Sequence, residues 1–195
     1  MKRLVLASAN PGKLREMRAL LAPLGREVIS QAELGIAETE EPHDTFLENA
    51  LAKARHASRA SGLPALADDS GLCVDALGGA PGVHSAYFAG REGGREERDA
   101  RNNAKLLASL GEARKAHYRC VMALVRSAED PEPLIAEGSW DGEIACAPRG
   151  ANGFGYDPLF LVAGRGLTAA ELPEEEKNRI SHRARAAARL LAALR

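Results

Sequence analysis

Apolar and polar positions change period along this chain in a way that reads as alternating strands and helices. Leu4-Val5-Leu6-Ala7 is a continuous apolar run of the kind that forms a buried strand. Asn10 can cap the next helix, and Pro11 suits its first turn, where a missing N–H costs nothing. Leu14, Met17, Leu21 and Leu24 then recur at helical spacing, Gly25 stops the helix, and Val28-Ile29 reads as a second strand. A strand–helix–strand opening favours an α/β fold.

An acidic connection runs from Glu38 to Asp44. Asp44 or Thr45 starts a second helix, with Phe46, Ala50, Ala54 and Ala57 on one face and Gly62 at its end. Pro64-Ala65-Leu66-Ala67 reads as a strand that delivers Asp68 and Asp69 to its C-terminal end, with Gly71 allowing a tight turn into Leu72-Cys73-Val74. Gly78 to Gly82 is a loop, and Arg95 to Leu110 is a charged helix with Ala104, Leu107 and Leu110 on its apolar face. Tyr118–Val125 and Leu134–Trp140 have strand character and belong in a common sheet, and Leu159–Val162 is a further strand. Between them lies a glycine-containing loop, Ala147 to Asp157. Thr168 and Glu171 have capping-box spacing. Ile180, Ala184, Ala187, Leu191 and Leu194 form one stripe of a last helix that docks on the core.

Composition narrows the class. With 195 residues, 45% hydrophobic and 27% charged, the chain can bury the core of one domain, in two lobes, with no repeat or linker to divide it. Lys and Arg (26) balance Asp and Glu (27), so there is no global field to hold a nucleic-acid backbone, and nucleic acid is not expected as a partner. Cys73, Cys120 and Cys146 show neither metal nor disulfide spacing and read as small buried hydrophobes of a cytosolic protein. The strand-like run Met1 to Leu6 is too short for a signal peptide or a membrane span. A soluble, cytoplasmic protein with no membrane partner is expected.

Four segments carry chemistry. Ser8-Ala9-Asn10-Pro11-Gly12-Lys13 joins a strand to a helix, where unpaired amides and the positive end of the helix dipole favour phosphate and Lys13 adds charge. Ser181-His182-Arg183 lies at the start of the last helix, where cations are unfavourable unless an anion offsets them; Lys177 can join them. Asp69, beside Asp68, can bind Mg²⁺ or accept a proton from water, and Glu40 and Glu41 offer further carboxylates from a separate loop. Phe154-Gly155-Tyr156-Asp157 sets two rings in one loop of a chain only 4% aromatic; rings can sandwich a flat heterocycle, and a polar neighbour can read its edge.

Taken together, these segments resemble the inosine triphosphate pyrophosphatase family. The likeness rests on Ala7-Ser8-Ala9-Asn10, Phe46-Leu47-Glu48-Asn49-Ala50, Ala67-Asp68-Asp69-Ser70-Gly71-Leu72, Leu77-Gly78-Gly79-Ala80-Pro81-Gly82, Gly153-Phe154-Gly155-Tyr156-Asp157-Pro158, Glu176-Lys177 and Ser181-His182-Arg183, in family order over nearly the whole chain. It implies Mg²⁺-dependent hydrolysis of ITP, dITP and XTP to the monophosphate and pyrophosphate. It also implies an elongated mixed α/β fold of two lobes with the active-site cleft between them, and a homodimer. On this resemblance Ser8 to Lys13 hold the triphosphate, and Lys53 is a further phosphate candidate. Asp69 is general base and metal ligand, Glu41 or its neighbour Glu40 assists the metal, and Ser70 touches the substrate. Phe154 to Asp157 enclose the base, and Lys177, His182 and Arg183 complete recognition, the last two at the purine's keto edge. The family often has Thr-Gly-Asn in the first motif, where this chain has Ser8-Ala9-Asn10. Two other readings stay open: a Mg²⁺-dependent nucleotide phosphatase releasing orthophosphate, and a non-catalytic nucleotide-binding module.

Overall fold

The computed structural model describes residues 3–194; Met1 and Lys2, at the head of the first apolar run, lie outside them. Six strands form one mixed sheet: β1 (Arg3–Leu6), β2 (Glu27–Ser30), β3 (Ala65–Val74), β4 (Lys115–Val125), β5 (Leu134–Ile144) and β6 (Phe160–Val162). Their order is β2-β1-β3-β4-β5-β6, with β1 parallel to β2 and β3 and with β5 and β6 antiparallel. The helices are α1 (Pro11–Leu21), α2 (Phe46–Ser61), α3 (Arg95–Ala108), α4 (Glu174–Ile180) and α5 (His182–Ala193). This is the expected α/β class.

Contacts divide the chain into two compact units. The first takes in the chain up to Asp69, Cys120–Gly138, and the chain from His182 on. Its central strands β1, β3 and β4 are buried on both faces. Leu4, Leu6, Leu66, Cys120 and Met122 pack with Met17 and Leu21 of α1 and with Ala186, Ala187 and Leu190 of α5. The alternate residues Val5, Ala7, Ala65, Ala67, Val121 and Ala123 pack with Ala50, Ala54 and Ala57 of α2. The period-two alternation of the strands therefore assigns each position to one helix layer. The alanines on α2 let its axis lie close to the sheet.

The second unit comprises Ser70–Arg119 and Ser139–Ser181. Leu72, Val74, Leu106, Tyr118, Trp140, Tyr156 and Phe160 are among its core residues. Tyr118, Trp140 and Phe160 are in mutual ring contact, with centroids 4.6 to 6.4 Å apart.

Local signals place the helix ends where the sequence puts them. The Asn10 side chain accepts from the Lys13 N–H at 3.1 Å, and Thr45 Oγ1 accepts from the Glu48 N–H at 3.2 Å. Gly62 closes α2 at φ +68°, a left-handed cap that glycine adopts without strain.

Two expectations need correction. Asp68 and Asp69 do not end a strand, because β3 continues through them to Val74. Gly71 therefore makes no turn. A Cβ there would overlap the Gly82 carbonyl oxygen and come within 2.5 Å of Ser85 Oγ, so glycine admits a close approach of the 82–85 turn. The stripe assigned to one last helix is divided between two. The chain is extended at Ser181 (φ −66°, ψ 164°), which ends α4 at Ile180, and α5 then starts afresh at His182.

Candidate active site

Sequence-predicted residues gather into two sets, one in each unit. In the first unit the turn from β1 into α1 holds Ser8, Ala9, Asn10, Pro11, Gly12 and Lys13 at the helix start, as expected. Ser8 Oγ accepts from the Asn10 N–H at 3.2 Å. The Ala9 N–H donates to the Glu38 carboxylate at 3.0 Å, so this turn already attracts an anionic group. Lys13 Nζ reaches across to Asp68 Oδ2 at 3.2 Å.

β3 then presents two adjacent buried carboxylates with different partners. Asp68 takes Lys13 and Arg183, the latter through Nε and Nη2 at 3.4 Å each. Arg183 is 2% exposed and also pairs through Nη1 with Glu16 of α1. The anion expected to offset Arg183 is thus supplied from within the fold by Asp68 and Glu16. Burial opposes the Arg183 charge, but these two carboxylates outweigh it and hold the guanidinium firmly protonated.

Asp69 turns to α2 instead. Its Oδ1 lies 3.0 Å from Lys53 Nζ, and its Oδ2 accepts from Asn49 Nδ2 at 3.3 Å. Lys53 Nζ also reaches Glu41 Oε1 at 2.6 Å. Burial is the largest influence on Asp69 and raises its pKa, against the opposing pull of Lys53 and Lys13. Burial penalises the Lys53 ammonium, but Asp69, Glu41 and Asp68 more than compensate and raise its pKa. Glu41 and Asp69 therefore converge on one cation. Glu40 is exposed, and no contact found among the described residues ties it to this group.

A hard divalent ion fits this donor set. Among the described residues no cluster of three or more His, Cys, Asp or Glu forms a metal cage. Mg²⁺ commonly uses one or two carboxylates and keeps several waters, which is what Glu41 and Asp69 offer.

The second unit holds Ser70, half-buried in β3, and the Phe154–Asp157 segment. The Phe154 ring is half-buried, with the Arg95 guanidinium and the Lys177 ammonium each 4.9 Å from its centroid. Tyr156 is a core ring whose hydroxyl donates to the Ser85 carbonyl at 2.8 Å. Asp157 is buried and accepts from Lys177 Nζ at 2.6 Å, the Phe154 N–H at 2.8 Å and the Tyr118 hydroxyl at 3.3 Å. Asp157 thus anchors the loop, and Phe154 is the ring of the pair left partly accessible. Gly155 is fixed at both backbone groups: its N–H donates to Asp99 at 3.0 Å, and its carbonyl accepts from Asn103 at 2.8 Å. His182, 4% exposed, begins α5 beside Arg183 in the first unit.

Sequence reasoning did not select Glu16, Asn49, Asp99 or Asn103. Asn49 alone carried a signal, being a polar residue in the run Phe46–Ala50 on an otherwise alanine-rich helix face.

The Ham1 family pattern matches residues 4–193. The dITP/XTP pyrophosphatase of Ralstonia nicotianae is 64% identical over 197 aligned positions, covering 100% of this chain and 98% of that protein. That of Nitrosomonas europaea is 58% identical, covering 98% of this chain and 93% of the other. Among solved structures, a HAM1 protein from Coxiella burnetii superimposes with a TM-score of 0.91 at 49% identity, covering 100% of this chain and 98% of that one. A nucleoside-triphosphatase / dITP/XTP pyrophosphatase from Mycobacterium abscessus gives 0.74 at 45% identity, with 99% and 100% covered.

Proposed function

The chain belongs to the Ham1 family, and from that premise we propose that it is a nucleoside triphosphate pyrophosphohydrolase. Its substrates are the non-standard purine nucleotides ITP, dITP and XTP, which it converts to the monophosphate and pyrophosphate and so removes from the nucleotide pool. The observation that carries this reading is the convergence of Glu41 and Asp69 on one cation, in the same unit as Lys13 and the start of α1.

Ser8 to Lys13 hold the triphosphate, with helix amides and the Lys13 ammonium facing its charge. Lys53 adds a second ammonium. Asp69 and Glu41 would hold Mg²⁺, which would neutralise triphosphate charge and align the phosphates. Asp69 takes a proton from water as that oxygen bonds to the α-phosphorus; the bond to the bridging oxygen breaks and pyrophosphate leaves.

Phe154 offers its face to the base, while Gly155, Tyr156 and Asp157 hold the ring in place together with Lys177. His182 supplies an N–H donor to the purine's six-position carbonyl, and Arg183, held by Asp68 and Glu16, fixes the start of α5 that carries it. Adenine presents an amino group there, and a buried donor left unpaired costs roughly 1–3 kcal/mol, which disfavours ATP. Ser70 contacts the substrate from β3. The enzyme works as a cytoplasmic homodimer; among the described residues no helix is long and apolar enough to cross a membrane.

The test is direct. The protein is incubated with Mg²⁺ and, separately, ITP, dITP, XTP, ATP and GTP, and pyrophosphate and orthophosphate are quantified. Pyrophosphate from the first three, abolished by EDTA and restored by Mg²⁺, is the expected result. Orthophosphate would make the protein a phosphatase, and binding without turnover would make it a nucleotide-binding module. Light scattering at known concentration checks the dimer.

A further inference from the structure

Asn49 is an unusual residue for its place. It lies inside α2, 1% exposed, on the helix whose Ala50, Ala54 and Ala57 pack in the core. Asparagine is a poor helix former, and a buried amide must find partners for both its oxygen and its nitrogen. Three hydrogen bonds account for it. Its Oδ1 accepts from the His43 N–H at 3.1 Å, and its Nδ2 donates to the His43 carbonyl at 3.1 Å and to Asp69 Oδ2 at 3.3 Å. The amide thus grips both backbone groups of one residue in the acidic segment and, with the same nitrogen, one oxygen of Asp69.

Lys53 stands four residues on, on the same face of α2. It makes a parallel bridge, from Asp69 Oδ1 at 3.0 Å to Glu41 at 2.6 Å. Two side chains one helical turn apart therefore tie the same carboxylate to the same segment, one by charge and one by neutral hydrogen bonds. The two differ in what a bound cation does to them. The Lys53 ammonium occupies the place between Glu41 and Asp69 that a divalent ion would take. Asn49 holds the segment through backbone atoms and does not compete for that place.

We propose that Asn49 is a positioning residue that keeps the Glu41-bearing segment in register with Asp69 when Lys53 gives up its bridge. The inference rests on the proposed pyrophosphohydrolase function for its catalytic consequence, but the clamp itself can be measured without nucleotide. Small displacements of a reacting group cost about 10²-fold in rate, so loss of the clamp is expected to appear in kcat more than in KM.

The experiment compares the wild-type chain with Asn49→Ala, which removes the amide, and Asn49→Leu, which keeps the branched shape of the side chain but none of its hydrogen bonds. Hydrogen exchange read by mass spectrometry on the peptide covering residues 41–49 is measured without nucleotide, alongside Mg²⁺ titration by calorimetry. ITP turnover is then measured at saturating Mg²⁺. In both variants we expect the amides at 43–45 to exchange at least about tenfold faster, Mg²⁺ to bind more weakly, and kcat to fall about 10- to 100-fold with KM within about threefold. Wild-type exchange in both folded variants would overturn the clamp. Faster exchange with kcat within about threefold of wild type would overturn the positioning role. A wild-type chain that released no pyrophosphate from ITP would refute the proposed function instead, and exchange together with Mg²⁺ affinity would still decide the clamp.

Discussion

Asp68 and Asp69 are neighbours in sequence and address opposite faces of β3. Asp68 shares its face with Leu66 and meets Lys13 and Arg183; Asp69 shares its face with Ala67 and meets Asn49 and Lys53. The alternation of the strand separates two carboxylates into two tasks. One neutralises a buried arginine, and the other stands beside a carboxylate–lysine cluster. Asp69→Asn should therefore lower turnover on ITP by about 10²–10⁴-fold, because it removes the proposed proton acceptor. It leaves Lys53 paired with Glu41. Asp68→Ala leaves Arg183 with one fewer counter-charge in a buried place and should cost about 3–5 kcal/mol of stability. Urea unfolding and pyrophosphate release, measured on both variants, should rank them in opposite order.

Phe154 and Tyr156 are two residues apart and separate in the same manner. Phe154 is flanked by Arg95 and Lys177, whereas Tyr156 is in the core and donates to the Ser85 carbonyl. Stacking of a base on an aromatic ring is worth about 1–3 kcal/mol, so Phe154→Ala should raise KM for ITP about 10- to 100-fold. Tyr156→Phe removes one buried hydrogen bond and should cost about 1 kcal/mol of stability while leaving KM unchanged. Steady-state kinetics and thermal unfolding of the two variants check the division. Equal KM effects would place both rings on the substrate.

What the sequence made legible was local. The Asn10 and Thr45 caps, the Gly62 stop and the α1 stripe depend on residues within a turn or two of each other, and the structure has them where the pattern put them. The course of β3 was not legible. Asp68-Asp69-Ser70-Gly71 carries turn-forming residue types, and only partners distant in sequence keep it extended, including Ser85 Oγ, which accepts from the Leu72 N–H at 2.9 Å. The site divides in the same way. Lys13 could be placed at a helix start from its neighbours alone. That Arg183 would be balanced by Glu16, 167 positions away, has no signature along the chain. Asn49 lay between these cases, visible as a polar residue on an apolar face but without its partners.

Gly71 tests the reading of β3 as a continuous strand. A Cβ at this position would overlap the Gly82 carbonyl oxygen, a backbone atom that cannot rotate away. Overpacking of this kind costs about 1–3 kcal/mol. Gly71→Ala should lower the unfolding midpoint by about 2–4 °C per kcal/mol lost in a chain of this size. The loss should appear in calorimetry without any change of substrate preference. An unchanged midpoint would mean that the 82–85 turn does not press on β3.

The three cysteines offer a reading of burial that needs no substrate. Cys120 is fully buried in the core of the first unit, and Cys73 is half-buried. Cys146 is exposed. Burial, with Asp68 adding to it against Arg183 and Lys13, pushes the Cys120 thiol up to about 12. Burial also raises Cys73, against the opposing charge of Arg119. The thiolate is the reactive form, so burial protects Cys120 twice, by excluding reagent and by keeping the thiol protonated. An aromatic disulfide reagent at pH 8 should therefore consume one thiol quickly, a second slowly, and the third only when urea unfolds the chain. Cys146→Ser should abolish the fast phase and leave the other two as they were. A native protein that titrated three thiols at one rate would show that Cys120 is reachable from solvent, which the packing of β4 against α1 and α5 does not allow.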